Sequence, residues 1–233
     1  MLKIEICILC KNELEAFSKI FPIIKKEFFK INLNYFVMDG GSKDGSIKFY
    51  KKKKIKYFRQ KKLGRGSAII EAFNITKSDA LIFFSPDGNE DVRDIKKIVN
   101  LLNEKYDLII GSRMTKGARN EEDGKILKIK KWANKIFNLF ANILFNKKKY
   151  VTDSINGFRG ITKKKFKILN CDENFYAIEY QMTIRSMKLG YNIKEFPTIE
   201  SDRIAGISQA PSISTGFTFI RALIREIIVG RNF

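Results

Sequence analysis

Apolar residues follow two spacings along the chain. Short, nearly unbroken apolar runs occur at "LKIEICIL", "LNYFVM", "IKYFR", "DALIFF" and "DLIIGS", and they predict five strands. Between them lie stretches with helical spacing. In "NELEAFSKIFPIIKKEFF" the apolar positions are Leu14, Phe17, Ile20, Phe21, Ile24 and Phe28, with Pro22 as a predicted kink. "GRGSAIIEAFNIT" and "VRDIKKIVNLLNEK" predict two further helices. Strands alternating with helices give an α/β fold, a mostly parallel sheet with helices on both faces. Such sheets bind ligands beyond the carboxyl ends of their strands. The loops predicted there are Asn12-Glu13, Asp39 to Ser46, Ser85 to Asp91 and Ser112-Arg113.

The second half changes character. "ILKIKKWANKIFNLFANILF" carries a stripe of Ile129, Trp132, Ile136, Phe140 and Ile143, with basic residues near its start. "DSINGFRG" reads as a polar loop and "NFYAIEYQMTIRSMKLG" as a helix ended by Gly190. "YNIKEFPTIE" reads as an edge strand closed by Pro197. "GFTFIRALIREIIVGRNF" is amphipathic, with Phe217, Ile220, Leu223, Ile224, Ile227 and Ile228 on one side. No internal repeat or long linker interrupts the pattern. The expected organisation is one domain over residues 1–208 and a C-terminal amphipathic helix over 209–233.

Composition narrows the function classes. The 233 residues are 44% hydrophobic and 30% charged, which excludes a disordered chain and an integral membrane protein. "MLKIEICILCKNE" turns polar too soon for a signal peptide, and no apolar run reaches the length of a spanning helix. The net charge of +20 suits an anionic partner, or else reflects a Lys-rich composition. Three cysteines, one of them unpaired by count, fit a reducing compartment. Cys7 and Cys10 form a C-x-x-C inside a predicted strand, so packing is their expected role. Histidine is absent. His-based triads, His metal ligands and His general bases are thereby excluded.

In "FFSPDGNED" a strand runs into one central carboxylate, Asp87, with Ser85 and Asn89 two residues to either side. It reads as a metal site short of a ligand, or as a turn. "MDGGSKDGS" places Asp39 at a strand end before two glycines that allow close backbone approach. "GRGSA" lacks the glycine spacing of a dinucleotide fingerprint and follows the wrong strand.

The order of the pieces is more specific than any one of them: Asn12-Glu13, "DGGSKDGS", "GRGSA", "FFSPDGN", "DLIIGSR", "DSINGFRG", then "EFP" with Arg203. From about Ile4 to Ser208 this series resembles the family 2 glycosyltransferases of the GT-A fold. Within them it is most similar to the polyprenyl-phosphate glycosyltransferases, such as dolichol-phosphate mannose synthases. The resemblance implies nucleotide-sugar contacts from Asn12, Glu13, Asp39, Gly41, Ser42, Gly66, Ser85 and Asp87. It places "FFSPDGN" where the family has its D-x-D segment, with Asp87 as the second acid and Ser85 replacing the first. A divalent cation, Mg²⁺ or Mn²⁺, would then meet Asp87 and Asn89. Leu9 and Lys11 replace the family's Pro and Tyr before Asn12-Glu13, and Gly40 replaces the second of two acids.

On the acceptor side the resemblance implies phosphate contacts from Arg113 and a basic residue on the following helix, matched to Lys130, with Asn134 one turn on. Arg159 in "GFRG" is a further cation offered to the acceptor phosphate. Arg203 matches an Arg that clamps the departing diphosphate. Asp87, Arg113 and Arg203 are the implied catalytic residues. A lipid phosphate is already anionic and needs no general base, which suits a chain without histidine. The implied reaction is inverting transfer of a hexose, mannose or glucose type, from a nucleotide-diphosphate sugar to polyprenyl or dolichyl phosphate. The implied location is peripheral, on the cytoplasmic face of a membrane, with the Trp132 stripe and the C-terminal helix either in the lipid interface or covering the sheet. Two alternatives stay open. One is the same fold acting on a sugar hydroxyl, with Asp153 as base. The other is a non-enzymatic basic protein binding nucleic acid or membrane; scattered charge and the lack of an aromatic-basic signature argue against specific nucleic-acid binding.

Overall fold

The structure, a computed structural model, describes residues 2–124, 128–205 and 212–233, with side chains from residue 215 in the last segment. Its elements in chain order are β1 (Ile4–Cys10), α1 (Leu14–Lys30), β2 (Asn34–Asp39), α2 (Ser46–Lys52), β3 (Tyr57–Arg59), α3 (Arg65–Ile75) and β4 (Ala80–Phe84). A 3-10 turn (Val92–Asp94) leads into α4 (Ile95–Asn103) and β5 (Leu108–Ser112). Then come α5 (Ile129–Phe145), β6 (Arg159–Thr162), α6 (Lys163–Leu169), α7 (Ile178–Lys188), β7 (Ile193–Pro197) and α8 (Ser212–Val229). All five strands expected in the first half form, as does the edge strand β7. Pro22 lies inside α1, which runs through it.

The seven strands stand in the order β3-β2-β1-β4-β6-β5-β7. Every pairing is parallel except those of β6, which runs antiparallel to both β4 and β5. β6 was not expected: the "polar loop" ends in a strand whose first residue is Arg159. Helices cover both faces. One apolar core joins α1, α2 and α4 to Ile6, Ile8, Val37, Ile82 and Phe84. The other joins α3 and α5 to α8 to Cys7, Phe36, Phe83, Leu108 and Ile110. Cys7 and Cys10 fall in opposite cores, because residues three apart on a strand point to opposite faces. They cannot pair, and burial pushes the Cys10 thiol up to about 12. All three cysteines are free and buried, as packing residues should be.

α5 has its apolar stripe on the outside. Trp132 is 53% exposed and Ile143 69%, while the buried face carries Asn134, Asn138, Ala141 and Asn142. The asparagines recur every four residues, so they share one face. Asn138 Nδ2 donates to the Thr152 carbonyl, and its Oδ1 accepts from Ser154 N at 2.8 Å. Asn142 Nδ2 donates to Val151 O at 2.8 Å, and its Oδ1 accepts from Val151 N at 2.9 Å. These side chains therefore pin the loop 151–154 to the helix, each bond contributing about 1 kcal/mol. The alternative that α5 covers the sheet with its apolar stripe does not hold.

α8 packs on α5 and α7, burying Phe219, Ala222 and Glu226. Glu226 accepts from Arg185 Nε at 2.9 Å and Lys188 Nζ at 2.6 Å, and all three are buried. Outward, α8 exposes Phe217, Ile220, Ile224, Ile227 and Ile228, so α5 and α8 together present a broad apolar surface. The expected boundary at 208/209 lies outside the described residues. Among the described residues no helix is long and apolar enough to cross a membrane.

Candidate active site

A cavity of about 690 Å³ opens beyond the carboxyl ends of β1, β2, β4 and β5, where the fold predicts a ligand. On its donor side, the loop after β4 turns tightly. Asp87 Oδ1 accepts from Asn89 N at 3.1 Å, and Gly88 takes a left-handed φ of +90°. The segment 201–204 is strapped across this turn by Ser201 N donating to Asn89 O at 2.9 Å and Ile204 N to Asp87 O at 3.0 Å. The strap delivers Arg203, whose Nη1 donates to Asp87 Oδ2 at 2.7 Å and whose Nη2 donates to Glu13 Oε1. Residues 13, 87 and 203, far apart in sequence, thus converge. Burial pushes the Glu13 carboxyl up, and Arg203 partly offsets it. Arg203 Nε is buried with no hydrogen-bond partner.

Ser85 also lines the cavity, but its neighbours were not foreseen. Glu90 folds back so that Ser85 N donates to Glu90 Oε2 at 2.7 Å. Burial, then the nearby charge of Asp87, pushes the Glu90 carboxyl up to about 8. Arg65 reaches the same wall, with Nη1 3.5 Å from Ser85 Oγ and Nε donating to Glu179 Oε1. Arg65 sits in the quoted "GRGSA" as the first residue of α3, a place that could have singled it out. Glu179 has no local signal, because its partner is over a hundred residues away.

On the acceptor side, Arg113, Lys130 and Asn134 share one wall. Asp153 organises two of them. It accepts from Arg113 N at 3.0 Å, Nε at 2.8 Å, Nη2 at 3.0 Å, and from Asn134 Nδ2 at 2.9 Å. Arg113 Nη1 points instead to Glu200 Oε1 at 3.3 Å. Lys130 Nζ is 3.3 Å from Glu121 Oε1 and half exposed. Asn134 Oδ1 is buried with no partner.

Several expected site residues do other work. Arg159 is fully buried, and all five of its donors are spent: Nε on Asn156 O, Nη1 on Glu179 O and Thr183 Oγ1, Nη2 on Ser154 O and Asn156 O. It has none left for an acceptor phosphate. Asp39 is buried beneath its loop, accepting from Gly41 N and Ser42 N at 2.9 Å each and from Tyr50 OH at 3.2 Å. It shapes the loop, and Gly40 is the residue that reaches the cavity. Asn12 N donates to Ser42 Oγ and Lys43 N to Asn12 Oδ1, so Asn12 and Ser42 staple two rim loops together while Gly41 turns at φ +84°. Gly66 stands outside the lining. A Cβ there would overlap the Glu173 carbonyl, so its smallness lets α3 pack on the 173–174 backbone. Asp153 is sealed off as well. Burial alone would raise its carboxyl, but Arg113 and the hydrogen bonds hold it below the usual carboxylate range. It is no base for a sugar hydroxyl. Glu200 does line the cavity, and burial pushes its carboxyl up.

The lining holds five basic residues, Lys11, Arg65, Arg113, Lys130 and Arg203, against six acidic ones. The positive excess of the chain is therefore not concentrated here. An entering diphosphate needs further positive charge or the protonation of a carboxylate. Among the described residues no three His, Cys, Asp or Glu side chains group to hold a metal unaided. Yet Asn89 Oδ1 is buried and unpartnered beside the Asp87 carboxylate. One carboxylate and one free amide oxygen are hard donors that fit a divalent cation arriving on a diphosphate.

Comparison with known proteins agrees with this geometry. The family model for glycosyl transferase family 2 matches residues 5–169. Glycosyltransferase AglJ of Haloferax volcanii is 26% identical over 196 residues, covering 83% of this chain and 62% of its own. The chain thus spans about three fifths of that relative's length. A dolichyl-phosphate hexose transferase of the same organism is 23% identical over 191 residues, covering 82% and 80%. Glucosyl-3-phosphoglycerate synthase from Mycobacterium tuberculosis, solved with Mn²⁺, UDP and phosphoglyceric acid, superposes with a TM-score of 0.75 at 15% identity over 97% of this chain and 78% of its own. Mannosyl-3-phosphoglycerate synthase from Rubrobacter xylanophilus gives a TM-score of 0.75 at 16% identity over 100% and 76%. The fold is the GT-A fold of these enzymes, and the matched span takes in the sheet from β1 to β6 and most of the cavity wall. The chain belongs to glycosyl transferase family 2.

Proposed function

We propose that the protein transfers a hexose from a nucleotide-diphosphate sugar to a polyprenyl phosphate while docked on a membrane surface. One observation carries the choice of acceptor. The wall that holds Arg113, Lys130 and Asn134 is built from the end of β5 and from α5, with Thr215, Gly216 and Phe219 of α8 also lining the cavity. The same two helices turn apolar side chains outward. A phosphate head in the cavity would therefore have its lipid tail beside an apolar surface, with the basic chain favouring an anionic leaflet. The relative named as a dolichyl-phosphate hexose transferase supports the same acceptor class.

In this reading Arg113 is held rigid by Asp153 and presents Nη1 to the acceptor. The incoming phosphate replaces Glu200 there, whose contact with Nη1 is the long one at 3.3 Å. Lys130 adds a second cation from the rim. An acceptor oxygen attacks the anomeric carbon, the bond to the diphosphate breaks, and configuration inverts. Arg203 meets the charge that grows on the departing diphosphate, its unpartnered Nε supplying a donor. A divalent cation, Mg²⁺ or Mn²⁺, would neutralise part of that charge when bound, and Asp87 and Asn89 are the residues that would hold it. Glu13 keeps Arg203 in place from the far side.

The test uses labelled nucleotide sugars, with and without polyprenyl phosphate, counting label in the organic phase. Label that requires the lipid phosphate and disappears with chelator is the expected result. Glu200→Gln separates the two acceptor classes. A hydroxyl acceptor needs a base, and Glu200 is the carboxylate placed for it beside Arg113, so the substitution would cost ~10²–10⁴ in rate. A phosphate acceptor predicts a small change. Flotation with anionic liposomes at low salt tests docking; a protein that stays in the pellet fraction refutes it.

A further inference from the structure

Ser85 stands where the D-x-D pattern has its first acid, and the structure shows what occupies the space beside it. The turn Asp87-Gly88-Asn89 reverses the chain, and Glu90 returns so that its Oε2 lies 2.7 Å from Ser85 N. The reversal is enforced. Gly88 has a left-handed φ, and a Cβ there would press on Ile204 of the strap. Glu90 lines the cavity on the same wall as Ser85, Asp87 and Asn89. Independently, Asn89 is 8% exposed and its buried Oδ1 accepts no hydrogen bond, leaving an oxygen donor on this wall unused.

We propose that Glu90 supplies, from beyond the turn, the carboxylate that position 85 lacks, so that a divalent cation on the donor diphosphate meets Asp87 and Glu90 together. This rests on the donor reading above. Two carboxylates and the diphosphate oxygens give a hard cation one more anionic donor than Asp87 and Asn89 supply. The arrangement moves an acid five residues along the chain while keeping it on the same edge of the cavity.

The test is Mn²⁺ uptake, read from loss of the free-ion electron paramagnetic resonance signal, with UDP and with GDP as probes. Nucleotide retention is measured by dialysis of the same samples. In the full chain, Glu90→Gln keeps an oxygen for the Ser85 amide, so the turn survives. It is expected to weaken nucleotide-dependent Mn²⁺ binding about tenfold or more. Ser85→Asp added to Glu90→Gln should restore most of that loss. Ser85→Asp alone, with Glu90 in place, should tighten binding no more than about twofold, because the position is already served. Unchanged Mn²⁺ affinity in Glu90→Gln, no recovery in the double variant, or a tenfold gain in Ser85→Asp alone would each overturn the assignment. Wild-type protein that retains nucleotide but takes up no Mn²⁺ overturns Glu90 and leaves the transferase reading standing. Wild-type protein that retains neither nucleotide overturns both.

Discussion

Asp153→Asn probes the centre of the acceptor wall. Asp153 is wholly buried and accepts four hydrogen bonds, three from Arg113 and one from Asn134. An asparagine keeps one acceptor oxygen but turns an NH₂ group toward donors. It also leaves Arg113 short of its main counter-charge. Removing one partner of a buried pair costs about 3–5 kcal/mol. Arg113 keeps some solvent contact and the 3.3 Å contact to Glu200, so the lower end, about 3 kcal/mol, applies. For a domain of this size that is a fall of about 6–12 °C in Tm. Urea denaturation and calorimetry measure it. Transfer should also fall, through misplacement of Arg113, with KM for the lipid rising more than kcat drops. A stable Asp153→Asn variant, within about 1 kcal/mol of wild type but inactive in kcat, would refute the reasoning and return Asp153 to the role of a base.

Other substitutions test the same architecture. Gly66→Ala, which drives a Cβ into the Glu173 carbonyl, should destabilise by about 2 kcal/mol or more in thermal unfolding, whereas Gly41→Ala, strained only by its φ, should cost about 1 kcal/mol. Glu226→Gln leaves Lys188 buried without its counter-charge and Arg185 with only Asp172 at 3.6 Å; limited proteolysis should then cut at α8 while the rest of the chain resists. Stability should also carry an acid limb. The folded Asp153 pKa lies below its ordinary value of 3.8, so its contribution is complete above that value and disappears as pH falls through the lower, folded one. Urea midpoints followed from pH 5 downward should fall less steeply in Asp153→Asn than in wild type.

The first half of the fold was legible because its strands are continuous apolar runs and its helices keep one stripe each. β6 was not, since "RGIT" opens with a charge and a glycine that read as loop. Arg159 misled for the same reason: a charged side chain implies solvent, yet five hydrogen bonds to four acceptors make burial tolerable. The stripe on α5 was visible, but not its direction. A helix with apolar and polar faces is ambiguous until something is known to satisfy the polar one, and here the loop 151–154 does so. The four-residue recurrence of Asn134, Asn138, Asn142 and Asn146 was the available sign. The edge of the sheet where the cavity opens was readable from position, but not that Asp39, at the end of β2, turns into its own loop. Glu179 and Glu200 belong to the site only through tertiary contacts, while Glu90, inside the loop Ser85 to Asp91, gives no sign in the sequence that it folds back on Ser85.

The antiparallel strand has a consequence for synthesis. β6 sits between β4 and β5, yet it is made after both. Until β6 has left the ribosome, the sheet β3-β2-β1-β4 has a bare edge at β4, and β5 has no strand to pair with, because β7 is made later still. At ~5–20 residues per second that interval lasts several seconds, long enough for chaperone capture or for pairing with another nascent chain. β6 is the keystone that closes the gap. A chain halted before Arg159 would hold most of the donor-side loops and none of the means to unite them with the acceptor wall.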